Sequence, residues 1–318
     1  MLQRANRSCL RACAGWSATA RLACCSSPPA QPPTPPRQRR RRQSSTAAGG
    51  GTTVHQHSGF RVHQFPILDD NYSYLIACDV TGEAAAVDPA EPETTLAEVE
   101  KAGLTLTTVL CTHKHWDHSQ GNEALAAHIP GLRVVGTAHE ECPAATELVS
   151  GGESIELFSS VWQAGGAPVS AKVLFTPYHT AGHVSFLLPG ALFCADSLFV
   201  GGCGRNFEGT AEQMHDCLID QFAAAKPETA VYCGHEYTVS NLKFCAAIEP
   251  DNAATAAKLE WSLAQREAGA PTVPSTIAEE LTYNVFMRTD EASVQKTVGC
   301  EGDAVGTMRE LRARKDTF

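Results

Sequence analysis

Nowhere in the 318-residue chain does an apolar stretch approach the ~18 residues of a membrane-spanning helix, so the sequence offers no membrane partner. It also lacks any Cys-x-x-Cys pair, which removes a zinc ribbon or a thioredoxin-like site from consideration. The 13 cysteines form no disulfide framework. Four of them (Cys9, Cys13, Cys24 and Cys25) precede residue 50, and Cys111, Cys194, Cys233 and Cys245 lie in apolar runs, where a thiol acts as a small hydrophobe. A reducing compartment is expected. The third absence is acid: residues 1–68 contain no Asp or Glu but carry ten arginines, among them Arg39, Arg40, Arg41 and Arg42. The remaining 15 basic residues face 35 acidic ones, a net charge of −20 over residues 69–318, which argues against a nucleic-acid partner.

An acid-free start rich in Arg, Ser and Ala reads as an organelle presequence. Arg4, Arg7 and Arg11 would line one side of a short helix. Pro28, Pro29, Pro32, Pro33, Pro35 and Pro36 then forbid a continued fold, and Gly49, Gly50 and Gly51 make a flexible joint. Residues 1–50 are therefore expected to be a transit peptide to the mitochondrial matrix. The plastid is the alternative destination, and a nuclear signal in the arginine block is the rival reading.

The feature that carries chemistry is Thr112-His113-Lys114-His115-Trp116-Asp117-His118, three imidazoles and a carboxylate within six positions. A core has no use for so many polar groups side by side, since each needs its own buried partner. Metal binding gives them a common purpose. The apolar, β-branched run 106–111 before the cluster reads as a buried strand, and the good helix formers of 123–128 follow it. The cluster thus sits in a strand-to-helix loop at a carboxyl strand end, where open α/β sheets place their chemistry. His-x-His-x-Asp-His points successive side chains in different directions and suits two adjacent ions better than one. Further strand-like runs end in His179 and His183 (after 173–176), Asp196 (after 192–195) and His235 (after 230–233), each beside small residues.

With these residues the chain resembles the metallo-β-lactamase superfamily, and within it the hydroxyacylglutathione hydrolases. The resemblance runs from about Phe65 to the C-terminus and includes Asp70-Asn71-Tyr72, Val87-Asp88-Pro89, the metal loop and Thr180-Ala181-Gly182-His183. It continues through Gly202-Cys203-Gly204, Phe207-Glu208-Gly209-Thr210, Cys233-Gly234-His235-Glu236-Tyr237, Asn241-Leu242-Lys243-Phe244 and Pro274-Ser275-Thr276. The resemblance implies a first metal on His113, His115 and His183, a second on Asp117, His118 and His235, and Asp196 between them. His179 is left out as a non-ligand, as are His55, His57, His63, His128, His139 and His215. Two divalent ions are implied, zinc by default and iron or manganese as alternatives. They would activate a water for attack on a thioester carbonyl, with Asp117 orienting it.

The substrate implied is a glutathione thioester, S-D-lactoylglutathione, held by Arg205, Tyr237, Arg312 and Lys315. Arg312 and Lys315 are three apart on one expected helix and share a face. Three positions depart from the better-known animal pattern: Arg205 replaces a Lys, Phe207 a Tyr and Val285 a Pro. The implied fold is α/β, a four-layered αββα sandwich over 60–236 with a C-terminal α-helical domain over 237–318. Helices are expected at 92–103, 210–226, 239–248, 253–268, 277–286 and 304–315. A monomer is expected. Two rivals remain: a mononuclear-iron persulfide dioxygenase of the same superfamily, and a non-catalytic binding protein on this fold.

Overall fold

The computed structural model describes residues 50–158, 160–161 and 164–318, so the expected leader lies outside them apart from its last residue. Short apolar and β-branched runs form the strands, and most are buried on both faces, as strands held between other layers must be. The first sheet follows chain order: β1 (Thr53–Gln56), β2 (Phe60–Ile67), β3 (Asn71–Cys78), β4 (Glu83–Val87), β5 (Thr105–Leu110), β6 (Arg133–Thr137) and β7 (Glu147–Val149). Pairing is antiparallel as far as β4 and parallel from there to β7. Parallel neighbours need crossovers. Helix α1 (Pro92–Lys101) carries the first, and α2 (Trp116–Ser119) with α3 (Asn122–His128) the second.

The second sheet begins β8 (Ser154–Glu156), β9 (Ser170–Phe175), β10 (Val184–Leu188), β11 (Ala191–Ala195). The small hairpin β12 (Leu198–Phe199) and β13 (Gly202–Cys203) then leaves it. The sheet resumes with β14 (Ala230–Cys233), parallel to β11, and closes on β15 (Ser275–Thr276). Alternation along the strands sorts side chains between two cores. On β3, Tyr72, Tyr74, Ile76 and Cys78 meet Phe186, Phe193 and Tyr232 of the other sheet, while Leu75 turns outward to Val99 of α1 and Leu125 of α3.

After β13 the chain is mostly helical. Helix α4 (Ala211–His215) widens into a π-helix over Asp216–Phe222, where one regular helix was expected. There follow α5 (Thr238–Ile248), α6 (Ala253–Glu267), α7 (Ile277–Tyr283), α8 (Ala292–Val298) and α9 (Ala304–Thr317). The expected helix at 277–286 stops at Asn284, whose side chain accepts from Phe286 N and donates to the Gly202 carbonyl (3.0 Å). An Asn that finds backbone partners of its own competes with the helix. The short β15 and α8 had no signal of comparable strength in the sequence. Met308 and Leu311 of α9 belong to the same core cluster as Phe193, so the helical segment and the sandwich share one hydrophobic interior. Among the described residues no helix is long and apolar enough to cross a membrane.

Candidate metal centre and cleft

Asp88, His113, His179, Asp196 and His235 follow the ends of β4, β5, β9, β11 and β14 on one edge of the two sheets. The sheets are tied together there: Tyr72 N donates to Gly234 O (2.8 Å) and Glu236 N to Asp70 O (2.9 Å). Two non-glycine residues in this region hold left-handed backbone, Asp88 (φ 48°) and Ala195 (φ 40°). Such conformations cost on the order of 1–3 kcal/mol and persist where the surroundings impose them. Gly204 and Gly234 are glycine for room, since a Cβ on either would collide with Asp196.

Every imidazole of the cluster except His115 is braced on one nitrogen and turned inward on the other. His118 Nδ1 meets Asp88 Oδ2 at 3.0 Å, and His235 Nδ1 meets Asp70 Oδ1 at 2.9 Å. Thr112 Oγ1 donates to Asp88 Oδ2 (2.7 Å) and faces His113 Nδ1 at 3.0 Å. His179 Nδ1 reaches the Arg205 carbonyl at 3.0 Å. With Nδ1–H donating in each ring, Nε2 is the atom left to face a cation. His113 Nε2 and His179 Nε2 then converge on His115 Nδ1 at 3.1 and 3.0 Å. One ring proton on His115 can satisfy only one of them, whereas a cation satisfies all three nitrogens.

The second group is Asp117, His118 and His235. Asp117 Oδ2 lies 3.6 Å from His235 Nε2 and 3.9 Å from His118 Nε2. Asp196 stands between the groups. Its Oδ2 faces His179 Nε2 (3.3 Å), while Oδ1 faces His235 Nε2 (3.3 Å) and His118 Nε2 (3.4 Å). His118 Nε2 and Asp196 Oδ1 are buried and make no hydrogen bond of acceptable geometry despite this proximity. Uncompensated buried donors and acceptors are costly. Together these features fit a His/Asp cluster suited to a dinuclear metal site.

Electrostatics agree. Burial opposes charge on both His118 and His235, yet Asp196 and the bracing carboxylates raise both, His235 to about 9. Burial likewise opposes ionised Asp196, but the neighbouring imidazoles of His235 and His118 hold its carboxyl well below the usual range. His113 is pushed well below its ordinary value, by burial first and then by its imidazole neighbours. A charge-compensated cluster that keeps Asp196 ionised is what a bound cation requires.

One sequence expectation is corrected. His183 was expected to serve the first metal and His179 to be passed over, and the structure exchanges them. Thr176 N donates to His183 O (3.0 Å) across the base of the β9–β10 hairpin, which commits the His183 side chain to the interior. Its Nδ1 lies by Thr176 Oγ1 (2.9 Å) and Ser197 Oγ (3.1 Å), and its ring stacks on His113 at 4.9 Å. His179, in the connection between those strands, reaches the cluster. Both histidines follow the same strand run, so no sequence signal separates them. The bracing carboxylates Asp70 and Asp88 also escaped assignment, although both lie within quoted motifs. Lys114 points away from the cluster to Glu208 (2.7 Å), as a residue between ligands should.

Above the cluster opens a cleft of about 1050 Å³, lined by His115, Asp117, His179, Asp196 and His235 on one side. Phe207, Tyr237, Lys243, Arg312, Lys315 and Phe318 are among the residues that line the rest. The four residues expected to hold substrate all lie there, in different states. Arg205 is largely exposed, with Nε 3.5 Å from Asp316. Tyr237 stacks flat on His235 at 4.7 Å. Lys315 is half-buried over the Phe244 and Phe318 rings and donates to Ser240 O (3.2 Å). Arg312 is buried and already engaged, donating to the Cys203 and Gly204 carbonyls (3.0 and 3.4 Å) and to Asp316 (2.9 Å).

Comparison with known proteins matches residues 66–235 to the metallo-β-lactamase superfamily and residues 236–318 to the hydroxyacylglutathione hydrolase C-terminus. The cytoplasmic hydroxyacylglutathione hydrolase of Arabidopsis thaliana is 44% identical over 81% of this chain and 99% of its own length. The hydroxyacylglutathione hydrolase of a Synechococcus strain is 40% identical over 81% of this chain and all (100%) of its own. In fold, ETHE1 from Myxococcus xanthus aligns with a TM-score of 0.54 at 24% identity, covering 84% of this chain and 90% of that one. The αββα sandwich and its helical C-terminal part are thereby accounted for, and the chain belongs to the hydroxyacylglutathione hydrolase family of the metallo-β-lactamase superfamily.

Proposed function

We propose that this chain hydrolyses S-D-lactoylglutathione and related 2-hydroxyacylglutathione thioesters to glutathione and the 2-hydroxy acid, the second step of methylglyoxal detoxification. The observation that carries the reading is the convergence of two donor sets on Asp196 at the bottom of a cleft walled by the C-terminal helices. His113, His115 and His179 would hold one divalent ion, Asp117, His118 and His235 the other, with Asp196 shared. Zinc is the default for imidazole and carboxylate donors, and iron or manganese would also fit. Bound there, such a pair supplies Lewis acidity and lowers the pKa of water from 15.7 towards about 7.

The chain's own residues do the rest. Asp88, Asp70 and Thr112 fix tautomers and ring orientations, so the donors are arranged before any ion arrives. Asp117, on the cleft side of the cluster, orients the attacking water. Arg205 and Lys315 present positive charge to the carboxylates of a glutathione moiety, and Tyr237 offers a hydroxyl. Arg312 holds the Cys203–Gly204 backbone in place, and that backbone leads directly to Arg205. The acid-free, arginine-rich start supports import into the mitochondrial matrix, which imaging of a C-terminally tagged full-length chain tests.

The deciding experiment is hydrolysis of S-D-lactoylglutathione by purified protein with metal content measured on the same sample. Hydrolysis with about two metals per chain is expected. Oxygen uptake with glutathione persulfide on a single iron, without hydrolysis, would replace this reading with the dioxygenase. Full metal occupancy without either activity would point to a binding protein.

A further inference from the structure

We propose that Cys111 and Cys142 form a redox-sensitive thiol pair, a modification site at the base of the metal loop. Cys111 is the last residue before Thr112, and its N–H donates to Val135 O (2.9 Å) across the β5–β6 ladder. In the parallel register Leu110 faces Val135, so Cys111 stands beside Gly136. Gly136 has no side chain, and the Cys142 thiol fills the space where one would stand, since a Cβ there would collide with Cys142 Sγ and Cβ. Alternation turns Cys111 to the side opposite Leu110, and Cys142, in the β6–β7 connection, packs against the outer core. The Cys111 thiol donates to His113 O (3.5 Å) and the Cys142 thiol to Pro143 O (3.9 Å). Among the nine described cysteines all are free, and only Cys142 and Cys300 are not buried.

This geometry gives a partly exposed thiol for an oxidant to reach and a buried one to resolve it. Hydrogen peroxide oxidises the Cys142 thiol to a sulfenic acid, releasing one water. The Cys111 sulfur then attacks that sulfur, and a second water leaves as the disulfide forms. Peroxide is reduced by two electrons, one from each thiol. A small thiol reverses the step by exchange. The disulfide would draw Cys111 towards the 136–142 loop and displace Thr112, which positions both Asp88 and His113. The loss of activity expected rests on the proposed thioesterase, whereas the cross-link does not.

The test treats full-length, metal-loaded protein with hydrogen peroxide and maps its peptides without reduction. The expected result is a linked pair of peptides through Cys111 and Cys142, about 2 Da lighter than the two thiol peptides together. Hydrolysis of lactoylglutathione should fall in parallel and return with dithiothreitol, while Cys142→Ser should neither link nor lose activity. Absence of the 111–142 link in the parent protein overturns the proposal whatever the activity does. Equal inhibition of parent and Cys142→Ser overturns the regulatory part.

Discussion

At the bottom of the cleft every inward-facing imidazole but one has its second nitrogen held by a carboxylate, a hydroxyl or a carbonyl, and the four rings so held are buried. Along the wall, made by the helices after β14 and by the loop that follows β13, the corresponding side chains Lys315 and Arg205 are long, cationic and partly exposed. Lys315 rests on aromatic rings, and Arg205 is paired only loosely with Asp316. The first region is organised in advance around charges that must sit within tenths of an ångström. The second offers charge at a distance, from side chains that are largely exposed at Arg205 and half-buried at Lys315. Chemistry is therefore expected to fail sharply when the floor is altered, and affinity to drift when the wall is.

The largest effect should come from the shared carboxylate. Asp196→Ala should abolish hydrolysis and release both metals, read by metal analysis of dialysed protein. His179→Ala should remove the first metal and nearly all activity. His183→Ala should keep two metals and lose thermal stability instead, because its ring supports His113 from behind. Equal metal loss in both variants would return His183 to the ligand set.

Next in size are the braces. Asp88→Asn and Asp70→Asn leave the donors in place but weaken their orientation, for which losses of about 10–100-fold in metal affinity or activity are typical. Asp88 should cost more, since it holds both His118 and Thr112. The metal-free protein offers a second reading of the floor. His235 is raised from 6.5 to about 9, with burial opposing and Asp196 and Asp70 prevailing. Its protonated form stabilises the metal-free fold fully below pH 6.5, and that contribution is lost as pH rises through about 9. The melting temperature of the metal-free protein should accordingly fall over this window, and less so in Asp70→Asn. Loaded protein should lack the decline, because ligation requires the unprotonated ring.

The floor was mostly legible in the sequence because its donors crowd into six consecutive positions and because three others end apolar runs. His179 was not, since choosing between it and His183 depends on how the β9–β10 hairpin closes. That is a matter of register rather than composition. Asp70 and Asp88 were invisible as braces because they reach their imidazoles across 165 and 30 residues of chain. The sandwich followed from the family resemblance, with which the alternating strand and helix runs agreed, whereas β15 owes its place to pairing with β14 and not to its own sequence. On the wall, a helical repeat showed that Arg312 and Lys315 share a face. It did not show that Arg312 is turned inward onto the Cys203 and Gly204 carbonyls.

Wall substitutions should be milder and should separate KM from kcat. Lys315→Ala removes a cation from the cleft, and a charge-assisted hydrogen bond of about 1.5 kcal/mol corresponds to a roughly tenfold rise in KM. Unchanged kcat would mean the contact is equally strong in ground and transition states. Arg312→Ala should behave differently, disturbing the Cys203–Gly204 backbone and lowering stability with KM. If Lys315→Ala lowered kcat as much as kcat/KM, the separation between floor and wall would fail.

The smallest expected change is also the most informative about the border between the two regions. Phe207 is 59% exposed, and its ring lies 5.3 Å from that of His179 and 6.0 Å from that of His115. It therefore belongs to the wall but touches the floor. Phe207→Tyr adds one hydroxyl at the mouth of the cleft, which for a neutral hydrogen bond is worth about 0.5–1.5 kcal/mol, or roughly two- to tenfold. A fall in KM of that size at constant kcat would show that the wall adjusts affinity even beside the metal donors. A change confined to kcat would mean that Phe207 acts through the rings of His115 and His179, and the border would have to be drawn one residue further out.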